Sequence, residues 1–600
     1  MNILSYKPTR VSAAIIILII WAGIYLPGLG GREVQGNEPK RMLPALTMVE
    51  TGNWLTPELA GEKYYKKPPL INWMIATSFI VTGERNEFSA RLPTTLLVLC
   101  FALCLVLMPS GWLTLDGRII SAVIFLTTIG IVDKGRLIEI DGAYASMTGM
   151  AVLTWLNLRS LNSSKWLLWT IPGFILGLGL LLKGPIILIF FYCVVFFVLK
   201  NEKKLSELRK APHFTGILVM ALVFSTWAIS AFLANQGETA AKTAAVSVEE
   251  PKMSREWLSD VTDIIYGMDK FRPASWVGNI FQAMTYFLPW LLFIPFFRRE
   301  KWIADIPETQ RLMIKSLFWA LVAGFIITSL PPGTKARYYV PLIPVAVIMT
   351  GFMLSNLPEN NMAHRIWRNI LLGLSILSAL ALAAGILLIN MRYIAYLYGY
   401  FNMKPPSPLE YINYLPTFLV TVLTVSFLLF IFYNYKRGAL LDSLKLALAT
   451  GALVVVIMLQ AFCFILPVAR QYDMKRPVGT AINKCVPPGE PLYLFDFGVM
   501  NYEPFIFYIR QPVRYVFGDD NLTADVKHVL FEMESYGRRK TDYMIAARGP
   551  VPILEFRFKK KGYLIIKFEK PPPSFPKPEK PGRPAPLTGN TNAPTDSGSR

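Results

Sequence analysis

Repeated apolar runs, each close to the length of a membrane-spanning helix, constrain this chain more than any other feature. A helix needs about 20 apolar residues to cross about 30 Å of hydrocarbon, and irregular backbone is not tolerated against lipid. Hydrophobic residues also fill 53% of the 600 positions, more than in ordinary soluble proteins. The sequence therefore predicts an all-α polytopic membrane bundle of about 13 transmembrane helices, at 11–29, 91–109, 118–133, 143–158, 166–182, 184–199, 214–234, 279–297, 312–330, 338–356, 368–390, 412–433 and 444–467.

The basic residues indicate how these runs are oriented. The net charge of +21 lies largely in short loops between the runs, rather than on one soluble face. This pattern favours the positive-inside rule and contact with membrane lipids, and it argues against nucleic acid as a partner. We therefore expect a cytoplasmic N-terminus and, because the number of spans is odd, an outer C-terminal domain. The predicted inner loops carry Lys200, Lys203, Lys204, Arg209, Lys210, Arg298, Arg299, Lys301, Arg365, Arg368, Lys436 and Arg437.

One further apolar run, Leu70–Thr82, is too short to cross the hydrocarbon upright. Counting it as a span would invert every later loop and place the basic clusters outside. We therefore predict that it forms a juxtamembrane helix on the outer face. It belongs to a long first outer loop, residues 31–83, within a transmembrane domain at 1–468.

The composition changes after the last run. Short apolar segments separated by turn residues read as strands and predict a small α/β domain at 470–568, on the outer side. Residues 571–600 are rich in Pro, Gly, Ser and Thr and predict a disordered tail. The predicted strand segments are PLYLFDF, FIFYI, VRYVF, YMIAA and GYLIIKF.

The cysteines and histidines do not indicate a metal or cofactor site. Four of the five cysteines fall in apolar runs, and Cys485 stands alone. The chain has only three histidines, and they are far apart in the sequence. Neither a disulfide framework nor a Cys- or His-based metal centre is predicted.

Polar residues at the outer ends of the runs form four groups on one predicted face. Single charges there are common as solvated caps or interface anchors, but they also mark functional sites. Together they suit transfer from a lipid-phosphate donor, in which a carboxylate takes a proton and cations neutralise the departing phosphate. The groups are Glu38, Lys40, Arg41, Lys66 and Lys67; Arg136, Glu139 and Asp141; Lys183-Gly184-Pro185; and Lys335, Arg337, Tyr338 and Tyr339.

An ordered series of motifs resembles the GT-C glycosyltransferases. The motifs are NEPKRMLPALTMVETGNWLTPELAGEKYYKKPPLINW, FSARLP, GRLIEIDGAY, GLLLKGPIIL, FLPWLLFIP and KARYYVPLIPVAVI, within about residues 10–350. The chain looks most like bacterial lipid A aminoarabinose transferases and the protein O-mannosyltransferase-like group. The resemblance implies a helical bundle in the bacterial inner membrane. It also implies that a sugar moves from a polyprenyl-phosphate carrier to a periplasmic acceptor, with inversion of the anomeric centre.

The resemblance also implies which residues form the site. The family's Asp-Glu pair falls on Asn37-Glu38, and because Asn cannot act as a base, either Glu38 takes the catalytic role or the pair has changed function. The family's Glu-Lys pair before two prolines falls on Lys66-Lys67, so a base replaces the acid at Lys66. A divalent metal occurs in some GT-C enzymes, but no ligand cluster indicates one here. The implied catalytic residues are Glu38 and Asp141, and the implied substrate-binding residues are Asn37, Lys40, Lys67, Arg136, Lys183, Arg337 and Tyr338.

The leading hypothesis is thus a membrane glycosyltransferase whose acceptor is lipid A, another envelope glycan or a protein hydroxyl. A transporter or flippase of lipid-linked sugars is a second hypothesis, although such proteins place ionisable residues near the bilayer midplane. A third is a non-catalytic relative that binds the lipid carrier, which the substitutions at Asn37 and Lys66 favour.

Overall fold

The computed structural model describes residues 8–242, 272–293, 306–390, 414–440, 442–470, 472–498, 502–518, 522–523, 525–539 and 543–571. These residues form two compact units. One is drawn from Met1–Thr480 and Gly498–Tyr508, and the other from Ala481–Phe497 and Ile509–Arg600. The predicted tail at 571–600 lies outside the described residues, except for Pro571.

The first unit is almost entirely helical. Its first part contains α1 (Arg10–Tyr25), α2 (Pro39–Thr51), α3 (Leu70–Thr82), α4 (Glu87–Leu107), α5 (Leu115–Thr127), α6 (Ile129–Gly135), α7 (Ile140–Ser160), α8 (Lys165–Leu182), α9 (Ile186–Asn201) and α10 (Ala211–Lys242). A short hairpin of β1 (Glu58–Leu59) and β2 (Glu62–Lys63) lies between α2 and α3. The later helices are Pro273–Thr285, Glu308–Ser329, Ile343–Ser355, Met362–Asn390, Tyr414–Lys436, Ser443–Gln460, Leu466–Arg470 and Lys475–Cys485.

The predicted helical membrane bundle is confirmed as a mostly helical fold, whereas the number of spans is not. Among the described residues, eight helices are long and apolar enough to cross a membrane, or nine if α5 and α6 form one bent span. A helix lies at each of the thirteen predicted segments. However, α1 and α9 have only 16 residues, and Pro273–Thr285 has 13. The count of thirteen therefore stays a prediction.

Helix α3 has the bounds expected from the sequence, Leu70–Thr82. It ends at Gly83, whose φ of 67° is left-handed and favours glycine. The next helix, α4, begins at Glu87. Asn86 caps its N-terminus, because the side chain of Asn86 accepts a hydrogen bond from the N–H of Ser89 at 2.9 Å. Only four residues, 83–86, thus connect α3, the last helix of the first loop, to α4. The position of α3 at the membrane surface stays a prediction.

A sharp bend separates α5 from α6. The two helices meet at 60° around Thr128. The N–H of Ile129 donates to the carbonyl of Leu288 at 3.0 Å, and the N–H of Gly130 donates to the carbonyl of Tyr286 at 2.8 Å. A Cβ on Gly130 would lie 2.8 Å from the Cβ of Tyr286, so this approach requires glycine. The bend is therefore bonded to a segment about 150 residues further along the chain.

Helices α8 and α10 pack through small residues. A Cβ on Gly173 would lie 2.3 Å from the carbonyl oxygen of Gly216, and a Cβ on Gly216 would lie 2.5 Å from that of Trp169. Such small residues let two helix backbones approach closely, as at helix interfaces in membranes. Gly173 is buried, and the backbones of α8 and α10 touch at Gly173 and Gly216. A larger residue at either position would force one of the two helices to move.

We expect Gly173→Val to destabilise the protein by about 1–3 kcal/mol, because the added methyl groups would force α8 and α10 apart. The measurement is thermal unfolding of the purified protein in detergent. Gly373→Val is the matched control, since Gly373 also lies in a helix but has no atom within 4 Å of an added Cβ. Equal losses for the two variants would contradict the packing role of Gly173.

The second unit is built on a five-stranded sheet with the order β4-β3-β5-β7-β6. The strands β3 (Leu492–Phe495), β4 (Val513–Val516) and β5 (His528–Glu532) are parallel, whereas β7 (Lys561–Phe568) is antiparallel to β5 and to β6 (Pro550–Phe558). The core on this sheet is apolar and includes Phe495, Val529, Phe531, Ile545 and Ile566. A C-terminal sheet domain is therefore present.

Two of the predicted strands in this region are wrong. The segment FIFYI contributes instead to a 3-10 helix at Pro504–Tyr508, and YMIAA forms a short helix at Tyr543–Ala546. The side chains of Phe505, Ile506 and Phe507 are all buried. An unbroken apolar run of this length does not distinguish a buried strand from a buried helical turn.

Candidate active site

Three of the predicted site residues meet at the start of α7. Asp141 is the second residue of that helix and is 5% exposed. Its Oδ1 accepts a hydrogen bond from Nζ of Lys183, and its Oδ2 lies 4.0 Å from Nε of Arg337. A carboxylate in the first turn of a helix is also favoured by the helix dipole. The structure thus brings one carboxylate and two cationic side chains together from three separate segments.

The position of Lys183 is set by a tight turn between α8 and α9. Lys183 directly follows α8, and α9 begins at Ile186. Between them, Gly184 has a φ of 112°, which is open to glycine but strained for other residues. The turn therefore requires glycine at the centre of the Lys-Gly-Pro motif. The turn also places the ammonium group of Lys183 beside Asp141.

Two tyrosine rings flank this ammonium group. Nζ of Lys183 lies 5.1 Å from the ring centroid of Tyr338 and 5.4 Å from that of Tyr144. The guanidinium of Arg337 lies 5.8 Å from the Tyr338 centroid. Such distances allow attraction between a cation and the face of a ring. With two cations and one carboxylate, the cluster carries a net positive charge and suits an anionic group such as a phosphate.

Glu38 has a different environment from the one expected of a general base. It is 1% exposed, and Arg91 donates to both of its oxygens at 2.8 Å. The backbone N–H of Gln35 donates to Oε2 at 2.7 Å, and that of Ile138 donates to Oε1 at 3.0 Å. The four donors occupy the lone pairs of both oxygens, so at least one of these hydrogen bonds would have to break before this carboxylate could accept a proton. The hydrogen bonds therefore favour a positioning role over the catalytic role expected from the sequence.

Arg91 binds the first loop as well as Glu38. It is 2% exposed and lies in α4, and its Nη1 donates to the carbonyl of Leu29 at 2.8 Å and to that of Arg32 at 2.9 Å. Its Nη2 donates to the carbonyl of Glu33 at 3.1 Å. Sequence reasoning assigned no role to Arg91, although FSARLP contains it.

The remaining predicted residues lie in several places. Arg136 donates to the carbonyls of Ile24 and Pro27, at the end of α1, so it supports that turn rather than Asp141. Asn37 is exposed just before α2, and Nζ of Lys40 lies 5.9 Å from the ring centroid of Tyr502. The others are half-buried in the turn before α3, namely Lys66 and Lys67.

A second ionic network holds the first loop. The backbone N–H groups of Lys475 and Arg476 donate to Oε1 of Glu33 at 2.6 and 2.7 Å. Nη2 of Arg476 lies 2.7 Å from Oε1 of Glu87, which also accepts from the hydroxyl of Tyr508 at 2.7 Å. Burial, and then the charge of Glu87, raise the pKa of Tyr508, so its hydroxyl remains a donor. The loop is thus tied at both ends by buried charges.

Metal ligands are not clustered at this site. Within the described ranges, no group of three or more His, Cys, Asp or Glu side chains could hold a metal ion. The chemistry open to the site, as far as its own residues are concerned, is proton transfer at Asp141 and charge neutralisation by Lys183 and Arg337.

Comparison with known proteins gives one family match and several relatives. Residues 66–229 match the family described as dolichyl-phosphate-mannose-protein mannosyltransferase. The undecaprenyl phosphate-α-4-amino-4-deoxy-L-arabinose arabinosyl transferase of Pseudomonas savastanoi pv. phaseolicola is 24% identical over 324 residues, covering 52% of this chain and 55% of the relative. The enzyme of the same name from Pectobacterium carotovorum subsp. carotovorum is 23% identical over 382 residues, covering 62% and 64%. The chain therefore spans 55% and 64% of the length of these two relatives, less than two thirds of each.

The fold comparison covers nearly the whole chain. The crystal structure of ArnT from Cupriavidus metallidurans bound to undecaprenyl phosphate superimposes with a TM-score of 0.63 and 17% identity, covering 92% of this chain and 97% of that one. This identity is low, so the likeness establishes the fold alone. In sequence and in fold together, the chain is similar to the GT-C glycosyltransferases, and its fold is that of ArnT.

Proposed function

We propose that this protein is a membrane glycosyltransferase that moves a sugar from a polyprenyl-phosphate carrier to an acceptor on the outer face of the bacterial inner membrane. The observation that supports it most directly is the cluster of Asp141, Lys183 and Arg337, flanked by tyrosine rings. The names of the relatives, and the undecaprenyl phosphate bound to ArnT, point to the same class of donor. Lipid A, another envelope glycan and a protein hydroxyl all remain acceptors that fit.

The cluster suits the charges that develop in such a reaction. The acceptor oxygen attacks the anomeric carbon while the bond from that carbon to the phosphate oxygen breaks, and attack from the opposite side inverts the centre. The acceptor proton passes to the carboxylate of Asp141, and the electron pair leaves with the carrier phosphate. Lys183 and Arg337 neutralise that growing negative charge, which is where cations contribute most to the rate.

In this proposal Glu38 and Arg91 do not contact the reacting atoms but hold the segment that carries Asp141. The bond from the Ile138 N–H to Glu38 fixes the residues just before α7, and Asp141 is the second residue of that helix. Arg91 fixes Glu38 in turn through two hydrogen bonds. We therefore propose that this pair positions Asp141. In this arrangement the substitution at Asn37 does not remove the base.

We also propose the finer topology that the loop charges suggest. The N-terminus lies in the cytoplasm, thirteen segments cross the membrane, and the first loop at 31–83 lies outside. The transmembrane domain covers 1–468, and the sheet domain covers 470–568 on the periplasmic side. Labelling single introduced cysteines in the predicted inner and outer loops tests this topology. Outside labelling of the predicted inner loop at 200–210 would overturn it.

We expect Lys183→Gln to lower the rate of sugar transfer by about 100- to 1,000-fold, because it removes a cation from the departing phosphate. Lys183→Arg should retain part of the activity. The measurement is mass spectrometry of lipid and glycan extracts from deletion cells that carry each variant, where one sugar mass marks the product. Lys165→Gln, at an exposed lysine at the start of α8, is the control. Identical extracts from wild-type and deletion cells would reject the transferase.

A further inference from the structure

Tyr144 makes two hydrogen bonds that join α7 to the Lys-Gly-Pro turn. Its side chain is fully buried, one turn of helix after Asp141. The hydroxyl donates to the carbonyl of Gly184 at 2.7 Å and accepts from the N–H of Ile187 at 2.6 Å. A buried hydroxyl ordinarily finds some partner, but here one partner lies in the turn that carries Lys183 and the other lies just after it.

These two bonds fix the backbone within the turn, at Gly184, and just after it, at Ile187. Ile187 is the second residue of α9, and the first N–H groups of a helix have no partner within it. The hydroxyl of Tyr144 supplies that partner while it also holds the carbonyl of Gly184, the middle residue of the turn. The path of the chain after Lys183 is thus set by one side chain of α7.

The same turn of α7 also holds the side chain of Lys183. Asp141 and Tyr144 are three residues apart, a spacing that places both on one face of a helix. Asp141 receives the ammonium group, and the ring of Tyr144 lies 5.4 Å from it. One turn of α7 therefore contacts the side chain of Lys183 through Asp141 and holds the backbone that follows Lys183 through Tyr144.

We propose that Tyr144 is a positioning residue for the transfer reaction, which places Lys183 against the carrier phosphate. This inference rests on the proposed function. A displacement of about 1 Å in a charge that stabilises the transition state lowers a rate by about 100-fold. In this proposal Tyr144 acts through Lys183, because its hydroxyl bonds to the backbone at Gly184 and Ile187 and its ring lies beside the ammonium group.

The test is Tyr144→Phe, which keeps the ring beside Lys183 and removes both hydrogen bonds. We expect turnover per folded molecule to fall by about 10- to 100-fold. Affinity for undecaprenyl phosphate, measured by titration in detergent, should fall with it. In a Lys183→Gln background the same substitution should change neither quantity, because the group that it positions is absent. Tyr192→Phe is the control, since it removes a hydrogen bond to His213 from the same helix α9.

The outcomes separate this inference from the function on which it rests. If Tyr144→Phe keeps wild-type turnover and affinity, or if it lowers both by the same factor with and without Lys183, Tyr144 has no positioning role. If the wild type binds undecaprenyl phosphate but transfers no sugar, the proposed function fails. The binding measurements in the two backgrounds would then still decide whether Tyr144 acts through Lys183.

Discussion

Replacing Asp141 with Asn is expected to lower the rate of sugar transfer by about 1,000- to 10,000-fold. The amide keeps the shape of the side chain but cannot take the acceptor proton. It also breaks the ion pair with Lys183 that aligns the site. The measurement is single-turnover transfer by purified enzyme, with thermal unfolding to show that the variant is folded.

Two further variants make this result specific. Asp116→Asn removes a carboxylate from the exposed first turn of α5 and should leave transfer unchanged. Asp141→Glu retains a base at a shifted position and should recover part of the lost rate. Near wild-type transfer by Asp141→Asn would contradict the role of Asp141 as the base and would favour Glu38 as the base instead.

Replacing Arg91 with Met is expected to reduce the free energy of unfolding by about 3–5 kcal/mol, because it leaves the buried carboxylate of Glu38 without its partner. Both side chains are almost fully buried, at 2% and 1% exposure. Removing only one member of such a pair costs far more than the pair itself contributes. The measurement is the midpoint of thermal unfolding in detergent.

The double variant Glu38→Gln with Arg91→Met should regain much of this stability, because the unpaired charge is then absent. Arg538→Met is a suitable control, since Arg538 forms an exposed i,i+4 pair with Glu534, and exposed pairs contribute little. A loss for Arg91→Met no larger than that for Arg538→Met would contradict the buried-pair assignment. A double variant as unstable as Arg91→Met alone would instead point to the lost bonds between Arg91 and the first loop.

The charged cluster could be predicted from the sequence because the loop charges orient the apolar runs, which places several groups of polar residues on one face. Asp141, Lys183 and Arg337 are such residues, and they do meet. The environment of Glu38 could not be predicted in the same way. Two of its four donors are backbone N–H groups, at Gln35 and Ile138, whose positions depend on tertiary packing.

The fold shows a similar division. The bounds of α3 were predictable because Pro69 and Gly83 bracket one apolar run. Strands β3, β4 and β7 were also predictable, since turn residues separate them. Tyr144 was assigned no role from the sequence, although the motif GRLIEIDGAY contains it, because a tyrosine in an apolar helix is ordinarily a core residue. Only its partners across the fold, Gly184 and Ile187, set it apart.

The bend between α5 and α6 has a consequence for how the chain is made. The carbonyls that satisfy the bend belong to Leu288 and Tyr286, and at about 5–20 residues per second a ribosome reaches them roughly 8–30 s after it has passed Ile129 and Gly130. Until then, water or a temporary partner must bind these two N–H groups, since lipid cannot. The bend between α5 and α6 in the nascent protein therefore cannot reach its final hydrogen bonding before the segment that contains Tyr286 and Leu288 has been synthesised.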